Sequence, residues 1–173
     1  MSHPIFQTDR VAVAVVTGRH PFEVPGFHQC FRNLPDIDYY PQHMEDYVAD
    51  AAQVREQYDV VLFYNFHQQL PGADAGWGER GMQEALEKLG ETEQGIVVLH
   101  HALLAFPDWQ LWSDIVGIQD RRFNYYHDEQ VRTDIADPDH PITRGLSSWQ
   151  MIDETYAMND AGEGSHILLT TDH

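Results

Sequence analysis

The sequence predicts an α/β fold, an open parallel sheet with helices on both faces. Three observations carry this. Short apolar runs at residues 11–16, 58–64 and 96–99 recur along the chain and read as strands buried on both faces. Between them lie segments whose apolar residues fall three and four positions apart, the spacing of an amphipathic helix. The order is strand, helix, strand, helix, and successive units of that kind give a parallel sheet with crossover helices.

The elements follow in order. Val11-Ala12-Val13-Ala14-Val15-Val16 is the first strand. Pro25 suits the first turn of a helix, where its missing N–H costs nothing. Phe27, Cys30, Phe31 and Leu34 then share one apolar face, which assigns Cys30 to core packing, and Pro35 stops the helix. Residues 37–40 form a short second strand. Met44, Tyr47, Val48 and Ala51 repeat the helical spacing, with Glu45 and Asp46 at the positive helix start. Residues 58–64 are the third strand, followed by a loop with Pro71, Gly72, Gly76 and Gly78. Met82, Ala85, Leu86 and Leu89 form the next helical face, and Gly90 ends it. Residues 95–99 are strand four. Pro107 opens a helix with Trp109, Trp112 and Val116 on one stripe, a spacing that favours core packing for both tryptophans over stacking on a sugar ring. Beyond Gly117 the repeat ends. Residues 123–126 and 131–136 read as two extended segments, residues 137–141 as a turn, and residues 148–157 and 167–170 as further strands.

Composition narrows the functional classes. The chain has 173 residues, enough for one domain with a sizeable core. Twenty-eight acidic residues against 10 basic ones give a formal charge of −18, which excludes the counterion-releasing patch that nucleic acids require and argues equally against anionic membranes. No segment approaches the length of a membrane span. Residues 1–10 are polar and lack the apolar core of a signal peptide, so a cytoplasmic location is expected. The single cysteine forms no intrachain disulfide. A homo-oligomer is compatible with the sequence.

Two histidine-bearing stretches follow strands directly, Thr17-Gly18-Arg19-His20 and Leu99-His100-His101-Ala102. In open α/β sheets ligands bind beyond the carboxyl ends of the strands, where strand order reverses. If strands one to three run outward in one direction, strand four lies on the other side of strand one. The reversal then falls between strands one and four, and His20 and His100 face one cleft. Further imidazoles and carboxylates come from other segments: His127, His140, Asp153 and Glu154. Such a set suits general acid–base work. It suits a divalent ion such as zinc equally well, because residues this far apart in sequence have no diagnostic spacing. His140 also has a capping role open to it before Pro141, and Asp153 a role as a helix cap or a solvated strand residue. Arg19 is placed to contact an anion or hydroxyl. His28, His43 and His67 have no companions that argue for a site.

Six segments in order carry a family resemblance: Gly18-Arg19-His20-Pro21-Phe22, residues 58–62, residues 95–100, residues 123–127, Asp137-Pro138-Asp139-His140-Pro141-Ile142-Thr143 with Gly145-Leu146, and Asp153-Glu154-Thr155-Tyr156. Together they resemble the ThuA-like, or trehalose-utilisation, family. The resemblance implies one flavodoxin-like domain over residues 1–173, similar in fold to class I glutamine amidotransferases. It implies carbohydrate catabolism, with a disaccharide or keto-sugar derivative as the small-molecule partner. On that reading His20, His100, His127 and Glu154 are the catalytic candidates, and Arg19, His101, His140 and Asp153 the substrate-binding ones. The alternatives are a metal-dependent hydrolase or lyase on the same residues and a non-catalytic sugar-binding module. An amidotransferase needs a cysteine on the turn after strand four. Here that turn carries His100-His101, so amidotransferase activity is not expected. Family members extend further, so the chain is expected to stop short of the domain's C-terminal elements, with residues 167–170 beside an open edge or apolar patch.

Overall fold

The computed structural model describes residues 6, 9–70, 76 and 79–173, so most of the glycine-bearing loop expected at residues 71–78 lies outside the described residues. The chain divides into two compact units, Met1–Trp112 and Ser113–His173.

The first unit holds β1 (Val11–Gly18), α1 (Val24–Arg32), β2 (Ile37–His43), α2 (Met44–Ala49), β3 (Val60–Asn65), α3 (Met82–Glu87) and β4 (Gly95–Val98). After β4 come a 3-10 turn, His100–Leu104, and α4 (Gln110–Val116), within which the division between the units falls. Every strand pairing in this sheet is parallel, and the order is β2-β1-β3-β4. That is the flavodoxin-like order. It corrects the strand order expected above: the reversal lies between β1 and β3, and β4 pairs with β3. The reason is chemical. β2 carries Asp38, Pro41 and Gln42 and is at most half-buried, and proline is confined to edge strands because it cannot donate to a ladder. β2 therefore takes the edge, and the apolar β3 flanks β1 on the inner side.

The core is built on β1, in which Ala14, Val15 and Val16 are fully buried. One face packs against α1. Its side chains Phe27 and Phe31 meet Val13, Val15, Ile37, Tyr39, Val60 and Leu62. Pro25 sits in the first turn as expected, and the Glu23 side chain accepts from the Gly26 N–H as the cap. The expected place for Cys30 is corrected, because the sulfur-bearing side chain is exposed. Only the Phe27–Phe31 stripe of this short helix turns inward, and Leu34 lies beyond its end, half in solvent.

On the opposite face Phe63 lies between Tyr47 of α2 and Trp112 of α4, with edge-to-face ring contacts at 5.9 and 5.1 Å. Trp112 is fully buried, and its indole N–H donates to the Ala102 carbonyl at 2.9 Å. Burying side chains of this size contributes roughly 1.5–3 kcal/mol each. Helices thus cover both faces.

The second unit is a three-stranded antiparallel sheet of β5 (Asn124–Ile135), β6 (Trp149–Ala157) and β7 (Leu169–Thr171), in the order β6-β5-β7. The two extended segments expected at 123–126 and 131–136 are one strand. It is interrupted by a bulge, where pairing steps from Tyr126↔Thr155 to Glu129↔Asp153 and Asp128 takes φ 55°. Val131, Thr133 and Thr155 are buried. β7 pairs with β5 on one side, and Ile167 and Leu169 are exposed. Among the described residues no helix is long and apolar enough to cross a membrane.

Candidate functional site

Parallel strands deliver all their carboxyl ends to one edge. In the first unit those ends are Gly18-Arg19-His20 after β1, His43 closing β2, Asn65-Phe66-His67 at and after β3, and Leu99-His100-His101 after β4. Backbone bonds tie the loops together. The Phe66 N–H donates to the Gly18 carbonyl at 2.9 Å, and the Phe106 N–H to the His67 carbonyl at 2.7 Å.

His20 and His101 stack with ring centroids 3.8 Å apart. His101 in turn meets His100 edge to face at 3.8 Å, and His100 lies parallel to Tyr64 at 6.0 Å. Phe66 closes the group from below, with edge contacts to His20 and His101. His20 and His100 therefore share one edge, joined through His101 although their strands are not neighbours. His20 Nδ1 is buried without a hydrogen-bond partner. Arg19 and His100 adopt left-handed backbone, φ 61° and 55°, a conformation that costs non-glycine residues energy and concentrates at ligand sites.

Charged groups ring this edge. The Arg19 guanidinium pairs with Glu79 and lies 3.9 Å from Glu45, and the Glu45 carboxylate also meets His43 Nδ1. Partial burial acts to raise the Glu45 carboxyl, but the His43 hydrogen bond, a backbone N–H and nearby positive charge outweigh it and hold it below the ordinary value. His67 and Asn65 lie beneath, buried at 4% and 0% exposure. Burial pushes the His67 imidazole down to about 4, so it is neutral near pH 7.

The second unit carries the other candidates. His127 Nδ1 lies 3.0 Å from Glu154 Oε2, and Glu154 also accepts from the Tyr156 hydroxyl. Burial and that carboxylate raise the Tyr156 phenol to about 12. A carboxylate on one ring nitrogen orients the imidazole and leaves its other nitrogen to act. Asp153 is an exposed strand residue whose carboxylate accepts from the Glu154 N–H at 2.8 Å. His140 caps its turn, accepting from the Ile142 N–H at 3.2 Å. His166 lies near the His140 ring and meets Asp137 at 2.8 Å. A cavity of about 500 Å³ in this unit is lined by Val131, Met151, Asp153, Thr155 and His173, among others.

Among the described residues no group of three or more His, Cys, Asp or Glu side chains is arranged to hold a metal ion. Sequence reasoning passed over His43, His67 and Asn65. Their signal was present, since His43 and His67 close or follow strands just as His20 and His100 do.

A family model described as ThuA, trehalose utilisation, matches residues 37–173. Among solved structures, one from Bacteroides uniformis ATCC 8492, described as a ThuA-like protein, is similar at 17% identity and TM-score 0.66, over 97% of this chain and 71% of that one. A cytoplasmic protein from Salmonella typhimurium LT2 is similar at 12% identity and TM-score 0.54, over 92% of this chain and 79% of that one. These likenesses concern the fold. No curated protein matches the sequence.

Proposed function

The chain belongs to the ThuA, or trehalose utilisation, family, and from that premise we propose that the carboxyl edge of its parallel sheet binds a small uncharged sugar and moves a proton on it. The ligand class is a disaccharide or a keto-sugar derived from one, met in the cytoplasm. The observation that carries the reading is the contiguous group of three imidazoles at that edge, His20 stacked on His101 and His101 edge to face with His100. Imidazole is the side chain best suited to hold and release a proton near neutral pH. Three such rings in contact offer a sugar hydroxyl or carbonyl both a donor and an acceptor. The net charge of −18 favours an uncharged ligand over an anionic one. In this proposal Arg19 contacts a hydroxyl at the sheet edge. The second unit, taken by itself, offers the carboxylate-oriented imidazole of His127 and Glu154, with Asp153 and His140 as its polar candidates.

The test is calorimetric titration with trehalose and with a singly oxidised keto form of it, together with chromatography of the products. Replacing His20 and His100 by alanine is expected to lower turnover by about 10²–10⁴ while the far-UV circular dichroism is kept. Glu154→Ala tests the second unit in the same way. Sugar binding without turnover identifies a binding module. Absence of binding by the wild-type protein overturns the proposal.

A further inference from the structure

We infer that His67 donates a hydrogen bond from Nε2 to an uncharged oxygen of the ligand at this sheet edge, and so acts as a specificity-determining residue. The inference rests on the sugar-binding reading and deepens it, since it states which atom of the ligand the protein selects.

The Asn65 side-chain N–H donates to His67 Nδ1 at 3.2 Å. Nδ1 is therefore the acceptor, and the ring proton sits on Nε2. Nε2 has no hydrogen-bond partner and is covered in the ligand-free protein, as is the Asn65 Oδ1 atom, so a ligand oxygen reaches it only when the side chains over it move aside. A buried donor left unsatisfied is costly, and native structures seldom keep one without a use. Asn65 requires an acceptor at Nδ1, but nothing local uses the donor at Nε2. The wall of this imidazole is the Phe106 ring, nearly parallel at 5.8 Å, against which an aromatic hydrocarbon would pack as well.

The ring is also fixed in place. A Cβ built on Gly18 would lie 2.9 Å from His67 Cε1 and 3.3 Å from His43 Cε1. The absent side chain at the end of β1 is thus what lets the Cε1–Nε2 edge of His67 approach the strand end that leads into Arg19 and His20. The charged groups facing His67 are Glu45, Arg19, His43 and Glu79. Their signs are mixed, and burial dominates, keeping the ring neutral. A neutral imidazole donates without offering a charge. It therefore suits a carbonyl or hydroxyl oxygen without adding positive charge to the site, and the acidic balance of the chain, −18 overall, is what disfavours a carboxylate or phosphate there. His67 holds its proton instead of transferring it, in contrast to the proposed work of His20 and His100.

The experiment uses the full chain with ¹⁵N-labelled histidine. In the ligand-free protein at pH 7 the His67 signals are expected to report the Nε2–H tautomer, unchanged down to pH 5. The Nδ1–H tautomer, or titration above pH 6, overturns the inference. Addition of the keto form of trehalose should then shift the Nε2 proton downfield along with the signals of His20 and His100. If His20 and His100 respond and His67 does not, the inference fails and the sugar-binding reading stands. If none responds, both fail. Variants add a second readout. H67F should weaken keto-sugar binding about five- to tenfold, whereas H67Q, which keeps an amide N–H near the Nε2 position, should stay within about twofold. Equal affinity for H67F and wild type, or the persistence of a single buried water on Nε2 in a sugar-bound crystal structure, overturns the assignment.

Discussion

Acid should destabilise this protein through one imidazole before its carboxylates begin to titrate. His67 is 4% exposed, and burial lowers its proton affinity from 6.5 to about 4. Above pH 6.5 the ring is neutral in both folded and unfolded chains and contributes no pH dependence. As the pH falls from 6.5 towards 4, the unfolded chain takes up a proton that the folded chain refuses, so stability falls. Below about pH 4 both states are protonated and the loss is complete. Each tenfold difference in proton affinity is worth about 1.4 kcal/mol, so the full loss is about 3 kcal/mol across that window. The window is distinctive. Glu45, Asp134 and Asp137 are held below their ordinary values, so what they contribute is present above the ordinary carboxylate range and is lost only at lower pH. The assay is urea denaturation followed by tryptophan emission, on wild type and H67Q, at several pH values from 7.5 to 4.5. The gap between the two proteins should change by about 2–3 kcal/mol, with wild type losing more. Parallel loss in both would refute the argument, since His67 would then titrate alike in the folded and unfolded chain.

Trp112→Phe removes the donor to the Ala102 carbonyl and part of a fully buried ring system, and should cost about 2 kcal/mol, seen as a drop of several degrees in Tm. Gly18→Ala forces a Cβ to within 2.9 Å of His67 at a backbone φ of 148°; it should destabilise the first unit and shift the His67 resonances, and a variant with wild-type stability and spectra would contradict the packing described for that strand end. Glutamine should not be hydrolysed, because the turn after β4 presents His100-His101 and Cys30 is exposed on α1; a glutaminase rate that vanishes in Cys30→Ala would reverse that conclusion.

β1, β3 and β4 were legible because nearly all their residues are apolar, and the helices because their faces repeat. Strand order was harder. An outward run of strands one to three satisfies every periodicity, and the feature that rules it out, Pro41, lies in a segment whose polar residues hid the length of β2. Cys30 misled for a related reason. Spacing shows which residues share a helix face, while the length of the helix and the stripe its neighbours cover decide which of them are buried. The site was half legible. The rule that polar residues gather beyond strand ends found Arg19, His20, His100 and His101. It also applied to His43 and His67, but only the sheet order brings those next to Gly18. Tautomer and burial, on which the role of His67 depends, have no signature in a linear sequence.

A strand with a surplus residue tolerates substitution better than deletion. Before the bulge in β5, Tyr125 pairs with Tyr156; after it, Val131 pairs with Met151. In an uninterrupted strand Tyr125 and Val131, six positions apart, would lie on the same face. The extra residue puts them on opposite faces, so Tyr125 stays exposed while Val131 is buried. Removing Asp128 would restore strict alternation and force a choice. Either the aromatic segment rotates, and Tyr125 and Tyr126 exchange faces, or the segment after the bulge rotates, and Arg132 takes the place of Val131. Change along this strand should therefore proceed by exchanging side chains at constant length, because losing one residue would exchange the inside and outside of half the strand.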